Sequence, residues 1–473
     1  MAFYDNLEKY AMNEALIENT GKRVTYAQLD CLTNEIGNQM ETRKLIFIFC
    51  TNTIGSVAGY VASLKYKVVP LLLKADMEKG LRINLLQIYQ PSYVYIPVNM
   101  KEEFVDACLL WEKLGYCLMK TNYVQEITLH PDLGLLLTTS GSTGSPKLVR
   151  QSYINIQANA ESIASYLEIT EKDRPITTLS MNYTYGLSII NSHLLSGAAI
   201  LLTDNTLMER SFWDFFKKED ATSFGGVPYT YEMLKKLNFF KMDLKSLRTM
   251  TQAGGKLSPE LHREFADFAR EQDKRFVVMY GQTEATARMG YLPWDKASEK
   301  YGSMGIAIPG GELWLQDAES NKISQPQITG ELVYKGDNVT MGYAECITDL
   351  AKGDERHGIL NTGDMAVMDQ DGYFYIVGRK KRFLKIFGNR VNLDEAEQML
   401  KIQYPDYECA CTGTDDKLYI FTLCKTAGIQ LQMKHFLSNK MKLHLSAFIV
   451  KHLEVIPKNE SGKVAYRSLE EFL

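Results

Sequence analysis

The chain has 473 residues, 45% of them hydrophobic and 23% charged, with a formal net charge of -4; that is room for two or more domains with substantial cores. A slightly acidic chain has no general attraction for nucleic acid or an anionic membrane, so any anion site must be local. No apolar run approaches the ~20 residues that span a bilayer, the start Met1-Ala2-Phe3-Tyr4-Asp5-Asn6 lacks a signal-peptide pattern, and eight cysteines without Cys-x-x-Cys spacing fit free thiols in a reducing compartment. The expected location is the cytoplasm. Cys409-x-Cys411 would share one face of a strand, but with no second ligand pair nearby buried thiols are favoured over a metal site.

The first 100 residues alternate. Apolar residues at helical spacing (Leu29, Leu32, Ile36, Met40) follow Val24 to Ala27, a buried strand runs from Lys44 to Cys50, a helix from Asn52 to Leu64, a strand from Lys67 to Leu73, a helix over 77–90 and a strand from Tyr93 to Ile96. Strand, helix, strand in this rhythm predicts a parallel sheet with crossover helices.

Leu135-Leu136-Leu137 then empties into Thr138-Thr139-Ser140-Gly141-Ser142-Thr143-Gly144-Ser145-Pro146-Lys147. Gly141 and Gly144 let backbone N–H groups approach an anion, the hydroxyls of Thr139, Ser140, Ser142 and Thr143 are donors, and Lys147 adds a full charge. Such clusters are often linkers, but linkers rarely follow a leucine run. Pro146 before the lysine separates the stretch from a Walker A loop. The stretch resembles the phosphate loop of the AMP-forming adenylating superfamily, which includes acyl-CoA synthetases, firefly luciferase and the adenylation domains of nonribosomal peptide synthetases. Leu148 stands where that family usually has Gly.

Ser152 to Leu167 reads as a helix and Ile176 to Ser180 as a strand ending on Met181-Asn182-Tyr183-Thr184-Tyr185, a cluster that serves equally as core aromatics or as a ligand wall. The resemblance implies an acyl pocket lined by Tyr183, Thr184 and Tyr185. Amino-acid-activating members generally carry Asp at the place of Thr184; Thr184 cannot neutralise an ammonium, so a plain carboxylic acid, or one whose amine lies elsewhere, is the expected substrate. Leu194 to Leu202 is read as continuing the sheet. Thr249 to Lys256 is a strand running into Gly254-Gly255, either an ordinary turn or one a flat ring approaches; the resemblance implies that this turn, with Gln252, borders adenine and the carboxylate.

Val277-Val278-Met279-Tyr280-Gly281-Gln282-Thr283-Glu284 ends a strand on an aromatic able to stack on a base, a glycine turn, a hydroxyl and a carboxylate suited to Mg2+. Farther on, Gly330 to Tyr334, Gly342 and Tyr343 resemble a structural β block of the family. Asp364 suits the two ribose hydroxyls, with Arg379 within reach of ribose or phosphate. In the family Lys381 marks a hinge, Gly388 leaves room for a pantetheine arm, and Lys463 of the closing Pro457-Lys458-Asn459-Glu460-Ser461-Gly462-Lys463 enters the active site. Asn392 is expected to cap a helix from Leu393 to Leu400.

The resemblance runs from about residue 20 to 468 and implies an α/β fold. It comprises a large adenylating core of stacked α/β sheets with a β-barrel-like part (1–380) and a small mobile α+β domain (381–473). It implies an AMP-forming ligase using ATP and Mg2+: a small-molecule carboxylic acid attacks the α-phosphate, with Lys147, Lys463 and Glu284 catalytic, and a thiol then takes the acyl group. That thiol is CoA or the phosphopantetheine of a separate carrier protein, since no carrier domain is expected within the chain. An aminoacyl adenylase loading a discrete carrier and a non-catalytic nucleotide-binding protein are the alternatives.

Overall fold

The computed structural model describes residues 2–123, 128–138, 147–386, 389–414, 416–458 and 464–473. It divides into two compact units, Met1–Leu313 with Tyr334–Leu360, and Trp314–Val333 with Asn361–Leu473.

The first unit is built on two sheets. One has eight strands, in the order Gly342–Ala344, Leu148–Ser152, Leu133–Thr138, Val69–Lys74, Leu45–Cys50, Tyr93–Pro97, Tyr116–Lys120 and Cys108–Lys113; the other has nine, with Arg275–Tyr280, Thr249–Gln252, Ser223–Gly226, Pro175–Ile176, Ile200–Leu202 and Glu14–Glu18 adjacent in that order. The central strands are parallel, as the alternation predicts. Leu45–Cys50 is buried at every position, which explains its continuous apolar run. One core joins Ile46, Ile48 and Leu135 of the first sheet, Leu16 and Ile200 of the second, and Ile54, Val57 and Val61 of the helix Ile54–Lys65. That helix is buried from Ile54 to Leu64 and therefore shows no polar face.

Three readings shift. The strand expected over Ile176 to Ser180 is only Pro175–Ile176, because Thr177 and Thr178 donate their hydroxyls to the Thr203 and Gly225 carbonyls and side chains take over from the ladder. Tyr183 is the N-cap of the helix Thr184–Leu195 rather than a strand end. Only Ile200–Leu202 of the stretch from Leu194 extends the sheet, since Gly197 at φ +76° turns the chain out of that helix.

The second unit holds most of a five-stranded sheet (Lys322–Ile323, Glu312–Gln316, Gly330–Lys335, Ile359–Met368, Phe374–Arg379), a ribbon of Phe383–Ile386 with Asn389–Asn392, and a three-stranded sheet of Cys409–Thr414, Lys417–Thr422 and Phe448–His452. The helices Leu393–Gln403 and Ala427–Met441 pack on that last sheet through Ala396, Leu400, Met433 and Leu437, against Cys411 and Ile420. The Asn392 side chain accepts from the Asp394 and Glu395 N–H groups and caps the first of them. Cys411 is fully buried and Cys409 partly so, and burial pushes both thiols up. Among the described residues no group of three or more His, Cys, Asp or Glu is placed to hold a metal ion, and no helix is long and apolar enough to cross a membrane.

Candidate active site

Residues 139–146 lie outside the described residues, and so do Thr139, Ser140, Gly141, Ser142, Thr143 and Gly144 with them; the strands on either side are a hairpin, Thr138 facing Leu148 and Leu137 facing Val149. The segment after the loop is thus an antiparallel strand and not a helix, so no helix N-terminus directly follows the stretch expected to hold phosphate.

Strand pairing decides where Lys147 sits. Leu148 and Val149 pair with Ala344 and Tyr343 on their outer side, so Lys147 emerges beside the end of that neighbour. Its Nζ lies 3.8 Å from the Tyr343 ring centroid and 3.4 Å from Glu345 Oε1. The Tyr343 hydroxyl donates to Glu284 Oε1 at 2.7 Å. Burial, with the Glu284 carboxylate adding to it, pushes the Tyr343 phenol up to about 12, so it remains a donor throughout the neutral range. Arg356 covers the same ring at 4.6 Å and donates to the Glu284 backbone carbonyl at 3.0 Å and to Thr340 Oγ1 at 2.6 Å. Thr340 donates its own hydroxyl and N–H to that Glu284 carbonyl. Two motifs far apart in sequence therefore meet on one tyrosine.

Glu284 is tied to the expected acyl wall through its neighbour: Thr283 Oγ1 and Thr184 Oγ1 are 3.0 Å apart. The Tyr185 hydroxyl donates to the Thr251 carbonyl at 2.8 Å. At Gly254, φ is +81° and a Cβ would stand 2.6 Å from the Tyr183 hydroxyl, so only glycine admits this turn beneath that ring. Gln252 is fully buried; its Nε2 donates to the Gly255 carbonyl at 2.9 Å, while Oε1 meets no hydrogen-bond partner among the described residues. Gly281 has a packing reason, since a Cβ there would overlap the Ala287 carbonyl oxygen. Gln282 Nε2 donates to the Tyr280 hydroxyl at 3.3 Å, steadying the ring expected to face the base.

In the second unit Asp364 and Arg379 are register partners on adjacent strands, with Arg379 Nε 3.5 Å from the Asp364 carboxylate and the Thr362 hydroxyl accepting the Asp364 N–H. The backbone of Lys381 lies in a short turn, Lys380–Arg382; Gly388 and Lys463 lie outside the described residues. Sequence reasoning missed Arg356 altogether and read Tyr343 as structural. The neighbouring Arg382 is almost entirely buried, donating to Asp394, to Glu397 Oε1 at 2.8 Å and to the Cys411 carbonyl at 3.0 Å. The Tyr466 hydroxyl donates to the other Glu397 oxygen at 2.7 Å.

One carboxylate beside a lysine, with phosphate oxygens and waters completing the shell, is how Mg2+ is ordinarily held at a polyphosphate. Glu284 fits that role: Tyr343 takes Oε1, and Oε2 makes no hydrogen bond among the described residues.

Two helix-separated sheets that gather a lysine and a carboxylate at strand ends define an α/β enzyme of the nucleotide-binding kind. The chain belongs to the AMP-binding enzyme family, whose pattern matches residues 3–344. It is 29% identical over 422 residues to the 4-hydroxybutyrate–CoA ligase 1 of Metallosphaera sedula, spanning 85% of this chain and 72% of that protein. It is 27% identical to the medium-chain fatty-acid–CoA ligase of Escherichia coli, over 95% of this chain and 86% of that one. The o-succinylbenzoate CoA synthetase of Bacillus subtilis, solved with its acyl-adenylate intermediate, shares the fold with a TM-score of 0.78 at 21% identity, over 99% of this chain and 98% of that one.

Proposed function

We propose that this enzyme is an AMP-forming acid–thiol ligase: a carboxylate attacks the α-phosphate of ATP, pyrophosphate leaves, and a thiol takes the acyl group from the adenylate. The observation that carries the reading is the meeting of Lys147 and Glu284 on the two sides of Tyr343. Mg2+ bound by Glu284 would neutralise charge on the phosphates. Lys147 offers a fixed cation to the phosphate oxygens, and fixed charges of this kind contribute several kcal/mol when charge develops on the leaving group. No general base is needed, because the attacking carboxylic acid is already ionised at neutral pH.

Thr139, Ser140, Gly141, Ser142, Thr143 and Gly144 would cradle the phosphates; Gly254, Gly255, Tyr280, Gly281 and Thr283 would border adenine, and Asp364 with Arg379 the ribose. Tyr183, Thr184, Tyr185 and Gln252 would line the acyl side. Residues 381–473 would turn about Lys381, exchanging Lys463, the partner of the first half-reaction, for Gly388 and the thiol arm. The thiol is CoA, as in the names of the ligases above, or the phosphopantetheine of a separate carrier protein. Eight free thiols support a reducing compartment such as the cytoplasm.

Pyrophosphate exchange with a panel of carboxylic and amino acids tests the reading. Exchange with carboxylic acids, followed by thioester formation on CoA, is the expected result. Exchange with amino acids alone would move the assignment to an aminoacyl adenylase. ATP binding without exchange would leave a nucleotide-binding protein.

A further inference from the structure

Tyr185 lines a narrow cavity of about 30 Å³, together with Thr251, Met279, Gly225, His193 and Arg288. That volume holds roughly two water molecules, the size of one carboxylate group. Arg288 is 3% exposed. Its guanidinium lies 3.9 Å from the Tyr185 ring centroid, and its Nη1 donates weakly, at 3.3 Å, to the adjacent Ala287 carbonyl. Its Nε has no hydrogen-bond partner among the described residues, and none of its contacts there is a carboxylate.

This is unlike the other buried arginines among the described residues. Arg150 reaches Glu355 at 2.5 Å, Arg82 reaches Glu103, and Arg382 reaches both Asp394 and Glu397. A buried guanidinium without a counter-charge is strongly unfavourable unless a ligand supplies one. The backbone is arranged to hold it there: Thr286 and Ala287 adopt φ of +53° and +104°, and the Arg288 carbonyl accepts from Asn159 and Asn338. The other charged group at the cavity, Asp173, is already engaged by Thr170, Thr222 and Arg248. Burial holds His193 near a pKa of about 4, so the imidazole is neutral and supplies no counter-charge.

We infer that Arg288 receives a second, distal carboxylate of the substrate, making the acid this ligase activates a short dicarboxylic acid. The inference rests on the ligase reading above. A carboxylate at Arg288 would accept from Nε and one terminal nitrogen in the paired geometry that guanidinium favours, while the other carboxylate is adenylated.

The test compares pyrophosphate exchange for matched acids, propionate with malonate, butyrate with succinate and valerate with glutarate, in the wild type, Arg288→Met and Arg288→Lys. The wild type is expected to favour one diacid over its monoacid by about a hundredfold in kcat/KM. Arg288→Met should collapse that ratio to near one, and Arg288→Lys should restore part of it. A purely structural arginine would lower both members of a pair by the same factor, leaving the ratio unchanged and overturning the assignment. A wild type that prefers monoacids throughout overturns it without any variant and leaves the ligase reading intact. No exchange with any acid removes both.

Discussion

The hydroxyl of Tyr343 and the carboxylate of Glu284 are joined by a 2.7 Å hydrogen bond, and the ring that carries the hydroxyl also lies under the Lys147 ammonium. Tyr343→Phe keeps the ring and loses the donor. The Mg2+ concentration for half-maximal adenylation should rise about tenfold, which corresponds to roughly 1.4 kcal/mol of carboxylate positioning. An unchanged Mg2+ dependence would show that Glu284 does not need this partner.

Lys463→Ala should abolish adenylate formation while thioester formation from supplied acyl-AMP continues, because the lysine is assigned to the first half-reaction alone. The two steps are measured separately, by pyrophosphate exchange and by thiol consumption. Equal loss in both contradicts the assignment.

Gly254→Ala places a methyl group 2.6 Å from the Tyr183 hydroxyl on a backbone at φ +81°. The strain is on the order of 1–2 kcal/mol, and relieving it pushes Tyr183 away from the turn. Adenylation should fall by more than tenfold with the melting temperature lowered only a few degrees; full activity would mean that this ring and turn do not face the substrate.

Arg382→Met leaves Glu397 and Asp394 without their buried cation. Breaking such a pair from one side typically costs about 3–5 kcal/mol, so the variant should unfold at markedly lower urea. Stability within about 0.5 kcal/mol of wild type would refute the buried network.

Burial pulls His193 and His262 down to a pKa of about 4, below the ordinary value of about 6.5. The folded chain keeps both neutral while the unfolded chain takes up protons first as the pH falls. Their contribution is therefore whole above about pH 6.5 and shrinks toward pH 4, by roughly 2 kcal/mol per histidine at pH 5. His262→Asn should flatten the fall in urea stability between about pH 7 and pH 5 relative to wild type. An identical slope would place that imidazole in contact with water.

Much of this molecule could be read from residue order. Leu45–Cys50 and Val69–Lys74 are apolar runs of strand length, and the blocks ending in Lys147 and Glu284 each bring glycines, hydroxyls and a charged group together within a few adjacent residues. What could not be read was pairing over long separations. Nothing around Tyr343 says that its strand lies beside Val149, so its partnership with Lys147 and Glu284 was invisible, as was Arg356 above the same ring. Arg288 left a faint signal, a lone cation before Met289-Gly290-Tyr291-Leu292, but its burial depends on the turn at Thr286 and Ala287. The short strand at Pro175–Ile176 was overestimated because threonine hydroxyls, which suit strands, here satisfy neighbouring carbonyls instead.

The hairpin that carries the glycine-rich stretch has both feet nailed to the same sheet, Thr138 opposite Leu148. An extra residue inserted between them would enlarge the span without moving either foot. The address of the ammonium group on residue 147 is therefore written in the neighbouring strands, and substitutions among the glycines and hydroxyls between the two feet are expected to leave that charge where it is.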